Sequence, residues 1–198
     1  LIKNLRNIMK KIIYIFSVLM LISLTSSGLK AQDQEAMKKW MDYMTPGEEH
    51  KAMAKMTGDW NYTNKLWMAP GTDPMVSNGT AKIEMLMGGR YMQMRVNGTV
   101  MGMPFEGQAI NGYDNSSKKH LSSWIDNMGT GIMNLEGTYD AATKSITYSG
   151  SMIDPTTGNS VNVKEIIRMD SDNQFTMEMY DTKGGVEFKT MEMVSTRK

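Results

Sequence analysis

The side chains best equipped for chemistry are two histidines and a set of methionines. His50 and His120 are the only histidines, and Met-x-Met pairs recur at 85/87, 92/94, 101/103, 177/179 and 191/193. Thioether sulfur is a soft donor, so accessible pairs of this kind would suit Cu(I) or Ag(I). Methionine is equally an adaptable filler of irregular apolar space. A structural zinc site needs more than two histidines, and the chain has no cysteine and no carboxylate at ligand spacing. Ser122 or Ser123 with His120 and Asp126 supplies the residue types of a nucleophilic triad. All of them lie on one short stretch, which keeps nucleophile, base and orienter from converging. Gly129-Thr130-Gly131 lacks the lysine and the following helix of a phosphate loop. Whether the sulfurs bind or fill depends on which way the surrounding elements turn them.

The chain begins with a basic stretch, followed by an apolar run of fourteen residues from Ile12 to Thr25. That pattern predicts a secretory signal peptide over residues 1–31, cleaved before Gln32, with residues 1–8 upstream of a second start at Met9. The run is short for a membrane span, which needs about 20 apolar residues; an uncleaved anchor is the alternative. Removing residues 1–31 takes away five basic residues and no acidic one, leaving 17 against 21 and a net charge of −4. A mildly acidic chain without a basic cluster lacks the footprint of a nucleic-acid binder, and nothing polybasic remains to hold a membrane surface. Absence of cysteine excludes a disulfide framework and a lipid-anchoring cysteine.

Helical periodicity is confined to residues 33–56. Met37, Trp40, Met41 and Met44 recur at three- and four-residue spacing, and Thr45-Pro46-Gly47-Glu48 reads as a capping box opening a second short helix through Met56. After Thr57, alternating apolar and polar residues recur between turn signals at Pro70-Gly71, Gly88-Gly89, Asn97-Gly98, Asp114-Asn115, Asp140-Ala141, Pro155-Thr156, Asp170-Ser171 and Gly184-Gly185. Short connections favour an antiparallel meander that closes into a barrel.

Register then orients the methionines. A Gly88-Gly89 turn pairs Met87 with Arg90, Met85 with Met92, Ile83 with Met94 and Ala81 with Val96 on an apolar face, leaving Glu84 and Gln93 toward water. An Asn97-Gly98 turn likewise pairs Val96 with Thr99, Met94 with Met101 and Met92 with Met103. A one-residue slip would expose these sulfurs. Alternation from Met103 carries Phe105, Ala109 and Tyr113 inward. A four-residue turn from Asp114 to Ser117 puts His120, Ser122, Trp124 and Asp126 inside, whereas a five-residue turn puts Leu121, Ser123 and Ile125 there. A Lys183-Gly184 turn would gather Phe175, Met177, Met179 and Phe188, with Met191 and Met193 on the opposite face.

Six segments appear in an order that resembles a known family: Pro46-Gly47-Glu48-Glu49-His50, Gly58-Asp59-Trp60, Gly88-Gly89-Arg90, Gly102-Met103-Pro104-Phe105-Glu106-Gly107, Gly112-Tyr113-Asp114 and Trp124-Ile125-Asp126. They resemble the bacterial proteins catalogued as domain of unknown function 1579, thought to be lipocalin-like. The resemblance implies that fold and no established activity. Gly58-Asp59-Trp60 also resembles the Gly-x-Trp opening the first lipocalin strand, whose ring closes one barrel end beneath a late arginine, here Arg197 or Arg168.

The sequence thus predicts an all-β protein: an antiparallel up-and-down β-barrel, lipocalin- or calycin-like, of eight to ten strands over residues 57–198. Short helices in residues 32–56 would pack at one mouth. The expected location is periplasmic or secreted, and the expected partner is a small, largely apolar molecule. Its predicted lining is Trp60, Met85, Met92, Met94, Met103, Phe105, Tyr113 and Trp124, with Arg90 and His120 as polar anchors. No cofactor is predicted. Soft-metal binding through the Met-x-Met pairs and a barrel enzyme with a polar site around His120 are the alternatives. Haem ligation by His50 or His120 rests only on analogy with haem-binding barrels of related shape. His50 is otherwise expected on the surface or in helix packing.

Overall fold

The computed structural model describes residues 32–183 and 185–198; the expected signal peptide lies outside the described residues. The chain divides into two compact units at Thr45/Pro46. In the first, residues 32–44 form helix α1, supported along its exposed side by Lys39–Glu35 and Lys38–Asp42 pairs at i,i+4 spacing. Among the described residues no helix is long and apolar enough to cross a membrane.

The second unit holds helix α2 (Glu48–Ala54) and ten strands: β1 (Gly58–Leu66), β2 (Met75–Leu86), β3 (Tyr91–Val100), β4 (Met103–Asp114), β5 (Lys119–Asp126), β6 (Met133–Asp140), β7 (Ser145–Ile153), β8 (Ser160–Ser171), β9 (Gln174–Lys183) and β10 (Val186–Arg197). Each strand pairs antiparallel with the next, and β10 returns to β1, so the barrel is closed. Closure leaves no exposed edge. Eight strands give an interior just wide enough for side chains, and ten give more room.

The first hairpin keeps the expected register, with Met85 opposite Met92 and Ile83 opposite Met94. Its loop has four residues rather than two: Met87, Gly88 and Gly89 all take positive φ. Met87 is therefore 72% exposed at the tip and is not part of the inner face. Gln93 does lie on the outer face, between Glu84 and Ile110, yet it is buried there.

Asn97-Gly98 does not turn. Strand β3 continues to Val100, and the chain reverses at Met101-Gly102, both at positive φ as a tight hairpin requires. Met92 then faces Asn111, and Met94 faces Ala109, instead of Met103 and Met101. Gly98 has another role, for the Tyr62 ring lies against it and against Gly79, where no Cβ would fit. The displacement is an even number of residues, so Met103, Phe105, Ala109 and Tyr113 keep their predicted face, whereas Thr99 moves to the outer face of β3 and Met101 to the exposed turn. The β4–β5 hairpin behaves alike: Tyr113 pairs with His120 rather than Lys118, and His120, Ser122 and Trp124 face inward. A bulge between Lys189 and Met191 in β10 overturns a third expectation. The extra residue rotates the strand, so Met191 and Met193 face inward opposite Met179 and Met177.

Helix α2 packs on β3 and β4 at one barrel end. Its N-cap is Gly47, two residues later than expected, and the N3 residue is His50, whose Nδ1 accepts the Gly47 N–H at 3.0 Å. Trp60 seals the same end. Its indole donates to the Met56 carbonyl at 2.9 Å and meets Phe175 edge-on at 4.9 Å. Arg197, not Arg168, lies over that ring at 4.3 Å and donates to the carbonyls of Thr57, Lys55 and Asp172. Arg168 instead pairs with Asp170.

Candidate functional site

Two apolar clusters line the interior. One joins Trp60, Ile83, Met92, Met94, Phe175 and Met193, mostly from β1–β4, β9 and β10. The other centres on Leu135, Tyr148 and Val163 from β6–β8. Polar side chains sit where these walls meet: Asn111, His120 and Ser122 on β4 and β5, and Glu165 on β8.

His120 is 2% exposed, and neither ring nitrogen has a hydrogen-bond partner. Glu49 of α2 approaches its Nε2 at 3.6 Å, too far for a hydrogen bond. Burial holds the imidazole below its ordinary pKa, against the opposing pull of Glu49, so it is neutral at pH 7. Tyr113 lies 5.0 Å from it on one side and Tyr148 lies 6.4 Å away on the other. His120 and Tyr148 belong to strands separated by β6, and Gly137 is the position between them. A Cβ there would stand 2.7 Å from the Tyr148 ring, so only glycine lets the ring lie flat across that strand.

Opposite Tyr148 on β8 stands Glu165. It is 6% exposed, and no described residue gives its carboxylate a hydrogen bond or an ion pair. Burial pushes its pKa up to about 7. Tyr148 is raised by the same burial and by the neighbouring Glu165. Across the barrel, Asn64 Oδ1 and Ser195 Oγ are also buried without partners. Among the described residues every such orphaned atom belongs to an inward-facing side chain: Asn64, His120 and Ser195.

The predicted lining is only partly assembled. Met92 and Met94 are buried inside, with Met85, Phe105, Tyr113 and Trp124 packed against the same core. Trp124 stacks on Phe105 and donates to Asp126 at 2.7 Å, in the half of the barrel away from α2. Trp60 is fully buried in the seal. Met103 shares the inward register but is 47% exposed at the barrel end away from α2, where Met75, Met101, Ile153 and Val186 are exposed too. Arg90 is not an interior anchor: it sits exposed in the first hairpin loop and donates to the Met87 carbonyl at 3.0 Å. Met85 and Met87 likewise do not act as a pair, one facing inward and one at the tip. Among the described residues no three His, Asp or Glu side chains converge as a metal site. His50 is spent on structure, since Nδ1 accepts from Gly47 and the ring also bonds the Tyr113 backbone.

Sequence reasoning missed Glu165 and Tyr148. Val163, Glu165 and Ile167 alternate inward, but Ile166 beside Ile167 hides the phase. Gly137 carried the one local signal, a glycine inside a strand pattern that marks close approach of a ring or backbone.

One solved structure shares the fold. The crystal structure of Rv2717c from M. tuberculosis is similar with a TM-score of 0.53 at 12% identity, covering 78% of this chain and 99% of that one. The structure of EF1p2_mFAP2b bound to DFHBI is similar at a TM-score of 0.37 and 15% identity, over 75% of this chain and 98% of that one. That second likeness is too distant to bear on function. No curated protein matches the sequence. The family described as protein of unknown function (DUF1579) matches residues 45–197, through β1–β10 and the α2 end seal, and the chain belongs to that family.

Proposed function

We propose that the protein is an exported, periplasmic or secreted, barrel that binds a small, largely apolar molecule in its interior. The observation that carries this reading is the placement of the orphaned polar atoms. The two ring nitrogens of His120, Asn64 Oδ1 and Ser195 Oγ are buried, unpaired and on inward-facing side chains. An unpaired buried donor or acceptor costs about 1–3 kcal/mol, and a ligand's polar group would recover that cost while its apolar body met the methionines. Without a ligand, ordered water would serve the same atoms. Export is supported by the basic start and the apolar run Ile12–Thr25.

Native mass spectrometry of the protein taken from its own source, beside titration with the uncharged probe Nile red, tests the binding. A retained small mass or saturable one-to-one probe binding supports it. No retained mass together with no probe binding sinks it. N-terminal sequencing of the exported protein should begin near Gln32.

A further inference from the structure

We propose that the barrel interior selects ligands carrying a positively charged amine on an apolar body, with the Glu165 carboxylate as counter-charge and the rings of Tyr148, His120 and Tyr113 as the wall beside the ammonium group. This rests on the interior ligand site proposed above and names the chemistry of what enters it.

Three observations lead to it. Glu165 is buried beside Tyr148, and no described residue gives it a cation or a donor. A carboxyl placed so deeply is costly unless paired, and a ligand ammonium is the partner that would pair it. Next, the aromatic rings adjoin one another from the α2 end inward, Tyr113 to His120 at 5.0 Å and His120 to Tyr148 at 6.4 Å. Ring faces attract cations, more strongly where water is excluded. Neutral His120 adds a ring nitrogen able to accept an N–H.

The third observation is the sign of the inward charge. Asp126 and Asp181 share the inward register with Glu165. Among the described side chains the inward cation is Arg197, and it is committed to Trp60 and to backbone carbonyls at the sealed end. Among the described side chains a ligand carboxylate would therefore meet like charge, whereas an ammonium meets opposite charge. Selection of this kind works by repulsion as well as attraction.

The titration of Glu165 gives a second handle. Its carboxyl is pushed up to about 7 by burial, and the ionisable groups that face it or lie next along the interior are Tyr148 on β7, His120 on β5 and Asp181 on β9. An ammonium arriving near pH 7 would ionise the protonated fraction and release its protons to solvent.

Calorimetry with octylamine, octanol and octanoate tests the inference on the full protein, since the three share one apolar tail. Octylamine should bind at least about tenfold tighter than octanol, the scale of a charge-assisted hydrogen bond, and octanoate should bind more weakly than either. In Glu165→Gln the amine should fall to the alcohol's affinity while octanol binding is unchanged. Equal affinity for amine and alcohol in the parent overturns the inference and leaves the apolar site standing, as does an amine preference that survives in Glu165→Gln. Failure of all three ligands and of Nile red removes the site itself. Should Glu165→Gln not fold, as judged by near-ultraviolet dichroism, the parent decides alone. Octylamine binding at pH 7, compared in two buffers of different ionisation enthalpy, should release a proton fraction that octanol does not, and no release overturns the proposal.

Discussion

Two histidines on neighbouring parts of the same barrel end have opposite fates. His50 opens α2, uses Nδ1 to accept the Gly47 N–H and bonds the Tyr113 backbone with the rest of its ring. His120, on the strand beside Tyr113, is buried as deeply and uses neither nitrogen. The same contrast extends outward. Around His50 lies the seal, where Trp60 and Arg197 have their donors matched to carbonyls. Beside His120, Tyr148 and Glu165 line the barrel interior, and the Glu165 carboxylate has no described partner either. Matched groups hold the fold together, while unmatched ones cost stability.

The contrast breaks most visibly at the seal. Trp60→Ala should cost about 3–5 kcal/mol, because it empties the most enclosed site and strips Arg197 of its ring; urea unfolding measures it. A loss under about 1 kcal/mol would mean that the plug is not structural.

Glu165→Gln should act through pH. With its pKa raised to about 7, Glu165 binds a proton in the folded barrel under conditions where the unfolded chain has released it. Its contribution is fully present below about pH 4.5 and lost as pH rises through about 7. The glutamine variant should therefore gain on the order of 3 kcal/mol relative to the parent between pH 4 and pH 8. Parallel stability-pH curves would show that Glu165 is not buried as described.

At the histidines the expected signs differ. His50→Ala loses a cap and leaves the Gly47 N–H unpaired, a cost of about 1–2 kcal/mol. His120→Leu removes orphaned polar atoms from an apolar surround and should be neutral or stabilising, within about 1 kcal/mol of the parent. Equal losses at both positions would erase the distinction. Smallest should be Met92→Leu and Met94→Leu, each below about 1.5 kcal/mol, since both conserve volume among packed neighbours.

Much of the barrel was legible from the sequence because strands alternate with period two. The Asn97-Gly98 hairpin was misplaced, yet the error was an even number of residues, so Met92, Met94 and Phe105 stayed on the correct face. Asn-Gly is a strong turn signal, but here Gly98 is spent on making room for Tyr62, a contact visible only across β1 and β2. The bulge at Lys189/Met191 left no mark in local composition, and it alone decides where Met191 and Met193 point. The candidate site was the least legible part. His120 was found by its chemistry, but its neighbours Tyr148 and Glu165 arrive from β7 and β8 through closure of the sheet. Arg90 failed as an anchor because a four-residue loop holds it outside.

The most direct test watches both histidines at once. With two histidines in the chain, their imidazole signals in a nitrogen-15 correlation spectrum can be assigned from a His50→Gln variant and followed during addition of octanol. Saturable movement of the His120 signal, with His50 unmoved, is the predicted result. A stationary His120 signal while octanol binds elsewhere, or equal movement of both, would contradict an interior site built around the unpaired ring.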